Sequence, residues 1–262
     1  MLLEGQPRLS SIFENMTLQM LPQAFILQGT FGCGKHMLSK NIATKFNLEL
    51  IDITDSLVSD TLDLLANRPL PTLYVIDTLK LNEKKQNAML KFVEEYKQNG
   101  WVCLLVENRE MLLPTILNRC VTYTFDRYSK DYLKPFVEFA IDSDNRELVL
   151  SLVDTVGKVN LFIGQDIKAI FELCDKVIHK IKTANLSNAL SITDKFNFDD
   201  NYDKINIQVF FLIMVHMLKE LCIQDSSYLS LYDITNTYSN RLNMGTLKKK
   251  DLINNYLINL WG

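Results

Sequence analysis

Gly29-Thr30-Phe31-Gly32-Cys33-Gly34-Lys35-His36 is the stretch whose residue types and spacing point most directly to chemistry. Glycines at its first and sixth positions let successive backbone N–H groups wrap an anion without Cβ clashes. The lysine that follows can reach the terminal phosphates of a nucleotide. The context agrees. The apolar run Ala24-Phe25-Ile26-Leu27-Gln28 stops at Gly29, and a helical pattern starts at about Gly34, so a helix N-terminus faces the anion. Gly29, Thr30, Gly32, Cys33, Gly34, Lys35 and His36 are the candidate nucleotide contacts; the bland alternative is a Gly-rich turn between strand and helix. A Ser or Thr hydroxyl normally ligates Mg²⁺ at the eighth position. His36 instead offers an imidazole to a hard cation that takes oxygen ligands. On this pattern phosphate binding survives, and magnesium-assisted hydrolysis suffers.

The second motif is Leu73-Tyr74-Val75-Ile76-Asp77-Thr78. An apolar strand ending in Asp77 suits a carboxylate that holds Mg²⁺ at the C-terminal edge of a parallel sheet. Its alternative is an acid that caps the loop after the strand. Thr78, the next residue, has no basic oxygen with which to polarise an attacking water.

The segment from Asp77 to Glu95 resembles the stretch after the Walker B strand in bacterial clamp-loader subunits of the AAA+ ATPases. That family has a near-signature Asn-x-x-x-Gln-Asn-Ala-Leu-Leu-Lys-x-x-Glu-Glu, and this chain reads Asn82-Glu83-Lys84-Lys85-Gln86-Asn87-Ala88-Met89-Leu90-Lys91-Phe92-Val93-Glu94-Glu95. Pro114-Thr115-Ile116-Leu117-Asn118-Arg119-Cys120 resembles the family's Ser-Arg-Cys motif, with Asn118 in place of serine. The resemblance implies that Arg119 projects into the ATP site of a neighbouring subunit as a finger in trans; the bland alternative is an arginine that orders its own loop through backbone carbonyls. Such a finger contributes on the order of 10³–10⁵ in rate, or about 4–7 kcal/mol of barrier.

Other family elements are weaker. A polar sensor after Val102-Cys103-Leu104-Leu105-Val106 would fall on Glu107 or Asn108; an acid would repel phosphate, which leaves Asn108. The stretch Gly157 to Asp166 lacks the arginine with which active relatives contact nucleotide. The resemblance is strong over residues 24–125 and architectural beyond. It implies a delta-prime-like subunit with a degenerate site for ATP and magnesium and little hydrolysis of its own. Partners would be other loader subunits, with the sliding clamp and primer–template DNA reached through the complex. A catalytically active motor subunit and a helicase-loader-like ATPase are the alternatives.

The elements that must position these residues alternate strand and helix in the first half, with strands expected at 24–28, 48–52, 72–76, 101–106 and 121–125. Thereafter only helices are expected, over 132–141, 146–156, 165–183, 205–222, 226–242 and 246–260. The fold class is α/β: a doubly wound parallel sheet of P-loop NTPase type over 1–126, a helical lid over 127–183, and a helical C-terminal collar over 184–262. A further helix is expected over 55–67 and a break between helical units at 196–201.

Of the 262 residues 47% are hydrophobic and 23% charged, as in a well-cored globular protein. A formal net charge of −3 argues against gripping nucleic acid by overall charge. Lys84, Lys85 and Lys91 follow Asp77 where such a loader approaches DNA, though a solvated face explains them equally well. The five cysteines have no close pair, so no zinc site is expected, and the family's four-cysteine zinc insertion is absent. The apolar segment 210–218 is too short to span a bilayer and reads as a core helix. The expected location is the cytoplasm, with no membrane partner.

Overall fold

The computed structural model describes residues 2–57, 65, 68–94, 99–181, 195–196, 205–244 and 248–261. The chain forms two compact units, Met1–Tyr132 with Thr155–Gly157, and Leu133–Asp154 with Lys158–Gly262. The expected boundary at 183, most of the 55–67 helix and most of the 196–201 break lie outside the described residues.

In the first unit a five-stranded sheet runs in the order β2-β3-β4-β1-β5. Its strands are β1 (Ala24–Gln28), β2 (Glu49–Asp52), β3 (Thr72–Asp77), β4 (Gly100–Val106) and β5 (Val121–Thr124). All paired neighbours are parallel. The three central strands are nearly continuous apolar runs because both faces of a parallel sheet are covered. Phe25, Ile26, Leu27, Leu73, Val75, Ile76, Cys103, Leu104 and Leu105 are all buried. The outer strands β2 and β5 are only partly buried.

Helices α1 (Pro7–Asn15), α2 (Lys35–Phe46), α3 (Glu83–Glu94) and α4 (Pro114–Leu117) complete this unit. Helix α1 has Pro at its first turn, where the missing N–H costs nothing. Lys45 Nζ donates to the carbonyls of Phe13, Glu14 and Met16 at 2.5, 2.6 and 2.9 Å, satisfying groups at the end of α1. Helix α2 ends on Asn47 in the left-handed conformation, whose backbone N–H returns to Ala43 and Thr44.

The second unit is helical in its described residues apart from a single parallel bridge, Phe196 to Ile205. Helix α5 (Lys130–Ala140) begins in the first unit. It is followed by α6 (Arg146–Leu152), α7 (Val156–Leu161), α8 (Ile167–Ile181), α9 (Ile207–Gln224), α10 (Leu229–Met244) and α11 (Lys249–Trp261). The expected helix over 146–156 ends at Leu152, and Val153 is extended. Helix α9 is apolar enough by length and composition to cross a membrane. Yet Val209, Phe210, Phe211, Ile213, Met214 and Leu218 are buried in this unit. Phe210 and Phe211 meet the Tyr256 ring edge-on at 6.3 and 4.9 Å, and the Tyr256 hydroxyl is 3.0 Å from Thr235 Oγ1. A buried tyrosine hydroxyl with a partner is what an aromatic core of this kind requires.

Candidate functional site

The loop 29–34 leaves β1 and enters α2 at the C-terminal edge of the sheet, where ligands of open α/β sheets bind. Gly29 N–H donates to Val106 O at 2.9 Å, so the first turn of the loop is fastened to β4. A Cβ on Gly29 would come within 2.6 Å of Cys33 Sγ. Gly34 caps α2 at φ 101°, a conformation that glycine adopts without strain. Tyr128 Oη donates to Cys33 O at 2.7 Å, and Cys33 itself is buried. Burial pushes the Cys33 thiol up, against the opposing pull of the Lys35 charge.

Lys35 is buried and turned onto its own loop. Its Nζ donates to Gly29 O at 2.6 Å and Thr30 O at 3.1 Å, and lies 3.7 Å from Glu107 Oε1. Residue type alone disfavours Glu107 beside phosphate, yet it is the residue after β4 that faces the lysine. Asn108, the expected sensor, turns its Oδ1 to accept from Glu110 N at 3.0 Å and caps the following turn.

Residues 155–157 close over the loop from a distance in sequence. Gly157 N–H donates to Gly32 O at 3.1 Å, and Thr155 Oγ1 to Phe31 O at 2.9 Å. A Cβ on Gly32 would stand 2.5 Å from Gly157 Cα. Two glycines are needed for backbones to meet this closely. Nothing in the sequence around Gly157 signals this contact, because its partner is remote along the chain.

At the end of β3, Asp77 Oδ1 accepts from Leu79 N at 3.1 Å, and Asp77 N–H donates to Thr54 Oγ1 at 2.8 Å. His36 is exposed, with Nε2 3.9 Å from Asp77 Oδ2. Thr78 is buried, and its Oγ1 donates to Leu105 O at 3.0 Å, so its hydroxyl braces β3 against β4. The magnesium ion implied by the resemblance would meet an imidazole where an oxygen donor is required. The water-polarising position holds a hydroxyl engaged within the sheet. His36 and Thr78 do not fit a metal-assisted hydrolytic site. Among the described residues no group of three or more His, Cys, Asp or Glu side chains could hold a metal ion.

Arg119 stands on the surface after α4. Its Nη1 donates to Thr115 O at 2.8 Å, and its Nε lies 2.9 Å from Glu94 Oε1. The loop before α4 is fixed from α3 by buried Gln86. Its Nε2 donates to Met111 O at 2.9 Å while its Oε1 accepts from Leu113 N at 2.9 Å. Gln86 and Glu94 thus tie the helix after Asp77 to the segment that carries Arg119. Neither role is visible from residue type alone.

The stretch containing these two residues is the one that finds a known family. Residues 67–129 match the family described as "DNA polymerase III, delta subunit". The similarity lies in that segment, 63 of the chain's 262 residues. Its solved structural neighbours include a single-residue variant of RuvB from Thermotoga maritima, at 16% identity and TM-score 0.49, over 82% of this chain and 74% of that one. A DNA polymerase III gamma-subunit-related protein of Thermotoga maritima is 16% identical with TM-score 0.45, over 97% of this chain and 98% of that one. No curated protein matches the sequence. The loop 29–36, Asp77 and the Arg119 segment all fall in the first unit.

Proposed function

We propose that this chain is a delta-prime-like subunit of a replicative clamp loader. It acts as a stator that hydrolyses little ATP and offers Arg119 to the ATP site of a neighbouring subunit. The observation that carries the reading is the exposed Arg119 guanidinium, oriented by the Thr115 carbonyl and the Glu94 carboxylate on a rigidly tied segment. A guanidinium so presented would neutralise charge developing on a phosphoryl group at a subunit interface. His36 and Thr78 support the complementary half of the reading, since neither supplies what its position needs for hydrolysis in cis. Direct partners are then other loader subunits in the cytoplasm, with the clamp and primer–template DNA engaged through the assembly.

The test is ATP turnover by a loader reconstituted with Arg119→Ala in this subunit. Turnover at the adjoining site is expected to fall by roughly 10³-fold or more, while size-exclusion chromatography shows the assembly intact. Undiminished turnover removes the finger role. Lys35→Ala in the same reconstitution is expected to leave turnover unchanged; a loss comparable to that of Arg119→Ala would favour the motor reading.

A further inference from the structure

The geometry points to Glu107 as a built-in anion that occupies the charge position of a nucleotide phosphate and excludes nucleotide from this loop. An ammonium group has three donors. Here Lys35 Nζ donates to two loop carbonyls and stands as an ion pair 3.7 Å from Glu107 Oε1. Both charged side chains are largely withdrawn from water, at 10% and 15% exposure. For a phosphate to take its place in the loop, Lys35 must leave Gly29 O, Thr30 O and Glu107. The incoming oxygens would then face a carboxylate of like charge where screening by water is weak. Drawing the lysine away would also leave a largely buried carboxylate without that counter-charge.

The surroundings reinforce the pairing. The outward carbonyls of Phe31 and Gly32 already accept from Thr155 and Gly157, so residues 31–32 are fixed by the chain itself. Gly32 and Gly34 keep positive φ values of 73° and 101°, so the loop retains its glycine-dependent turns while the protein's own carboxylate stands beside its lysine. This deepens, and rests on, the reading of the chain as a poor ATPase. Its test is independent of Arg119, because binding is measured on the isolated chain.

Isothermal titration of the full chain with ATP, in EDTA so that no metal contributes, is the decisive experiment. The unaltered chain is expected to show no saturable binding at millimolar ATP. Glu107→Gln keeps the size and removes the charge, and is expected to bind at least tenfold more tightly. Lys35→Ala added to Glu107→Gln should abolish that gain, which separates phosphate capture from loosened packing. Saturable binding by the unaltered chain within threefold of Glu107→Gln overturns the inference, and so does continued absence of binding in a folded Glu107→Gln. Should that variant fail to fold, amine labelling of the unaltered chain with and without millimolar ATP, read by mass spectrometry, still decides. Labelling of Lys35 relative to the exposed Lys134 is expected to be the same in both, and protection of Lys35 by ATP would overturn the inference.

Discussion

Arg119 Nε lies 2.9 Å from Oε1 of Glu94, and this pair joins the end of α3 to the segment after α4. Both partners are more than two-fifths exposed, so the pair orients the guanidinium more than it stabilises the fold. Glu94→Gln should therefore change unfolding free energy by less than about 1 kcal/mol in urea. On the proposed function it should still lower turnover of a reconstituted loader, by less than Arg119→Ala does. A loss of several kcal/mol in the isolated chain would mean that Glu94 has a packing role instead.

Gln86 is buried and uses both ends of its amide, one on Met111 O and the other on Leu113 N. Gln86→Leu removes the side-chain partner of a carbonyl and an N–H in a partly buried setting. The expected cost is about 2–3 kcal/mol, read from denaturant unfolding. Turnover of the reconstituted loader should fall with it, since the loop leading to Arg119 loses its anchor. Wild-type stability in this variant would show that water replaces both contacts.

Gly32 has φ 73°, and a Cβ added there would stand only 2.5 Å from Gly157 Cα. Gly32→Ala meets both a conformational penalty and a backbone clash, together about 2–4 kcal/mol. Thermal unfolding should show the loss directly. Gly157→Ala should also destabilise, because the same close approach is blocked from the other side.

On the proposed reading, His36→Thr supplies a hydroxyl where a magnesium ligand would stand and changes nothing else. Thr78 Oγ1 still donates to Leu105 O and provides no base. The single substitution is expected to leave ATP turnover of the isolated chain at background in a coupled assay. Robust turnover would mean that Thr78 is not a second defect.

Burial pushes the Cys120 thiol up to about 11 and the Tyr128 hydroxyl up to about 12. Both groups release protons earlier in the unfolded chain, near 9 and 10 respectively. Their contribution is thus complete below about pH 9 and is lost as pH rises through the folded values. The melting temperature should hold from about pH 7 to 8.5 and fall between about pH 9 and 12. Tyr128→Phe should blunt the upper part of that fall, and costs about 1 kcal/mol at neutral pH through the lost bond to Cys33 O. A melting temperature flat across that alkaline range would contradict this.

Much of the architecture can be read from the residues. The central strands announce themselves because Thr72–Asp77 and Gly100–Val106 are buried on both faces, which demands unbroken apolar runs. The short helices Pro7–Asn15, Pro114–Leu117 and Val156–Leu161 do not stand out, since four to nine residues hold too few turns for a helical period to emerge. The strand–loop–helix turn over residues 29–36 is legible because its geometry is local. Glu107 and Gly157 are not, because each matters only through a partner more than seventy residues away. An acid beside a phosphate loop reads as a mistake until the lysine it neutralises is seen.

The N-terminal segment has a consequence for solubility. The outer margin of β5 would otherwise present free peptide groups, and open strand margins recruit strands from other molecules. Here the buried Gln6 amide mimics a peptide, giving Nε2–H to Asp126 O at 2.8 Å and taking Asp126 N–H at 2.9 Å. Arg8 Nη2 claims Thr124 O at 2.8 Å in the same row. Two side chains from the first ten residues act as a sealing strip along that margin, so a chain lacking them would be expected to self-associate before it lost its fold.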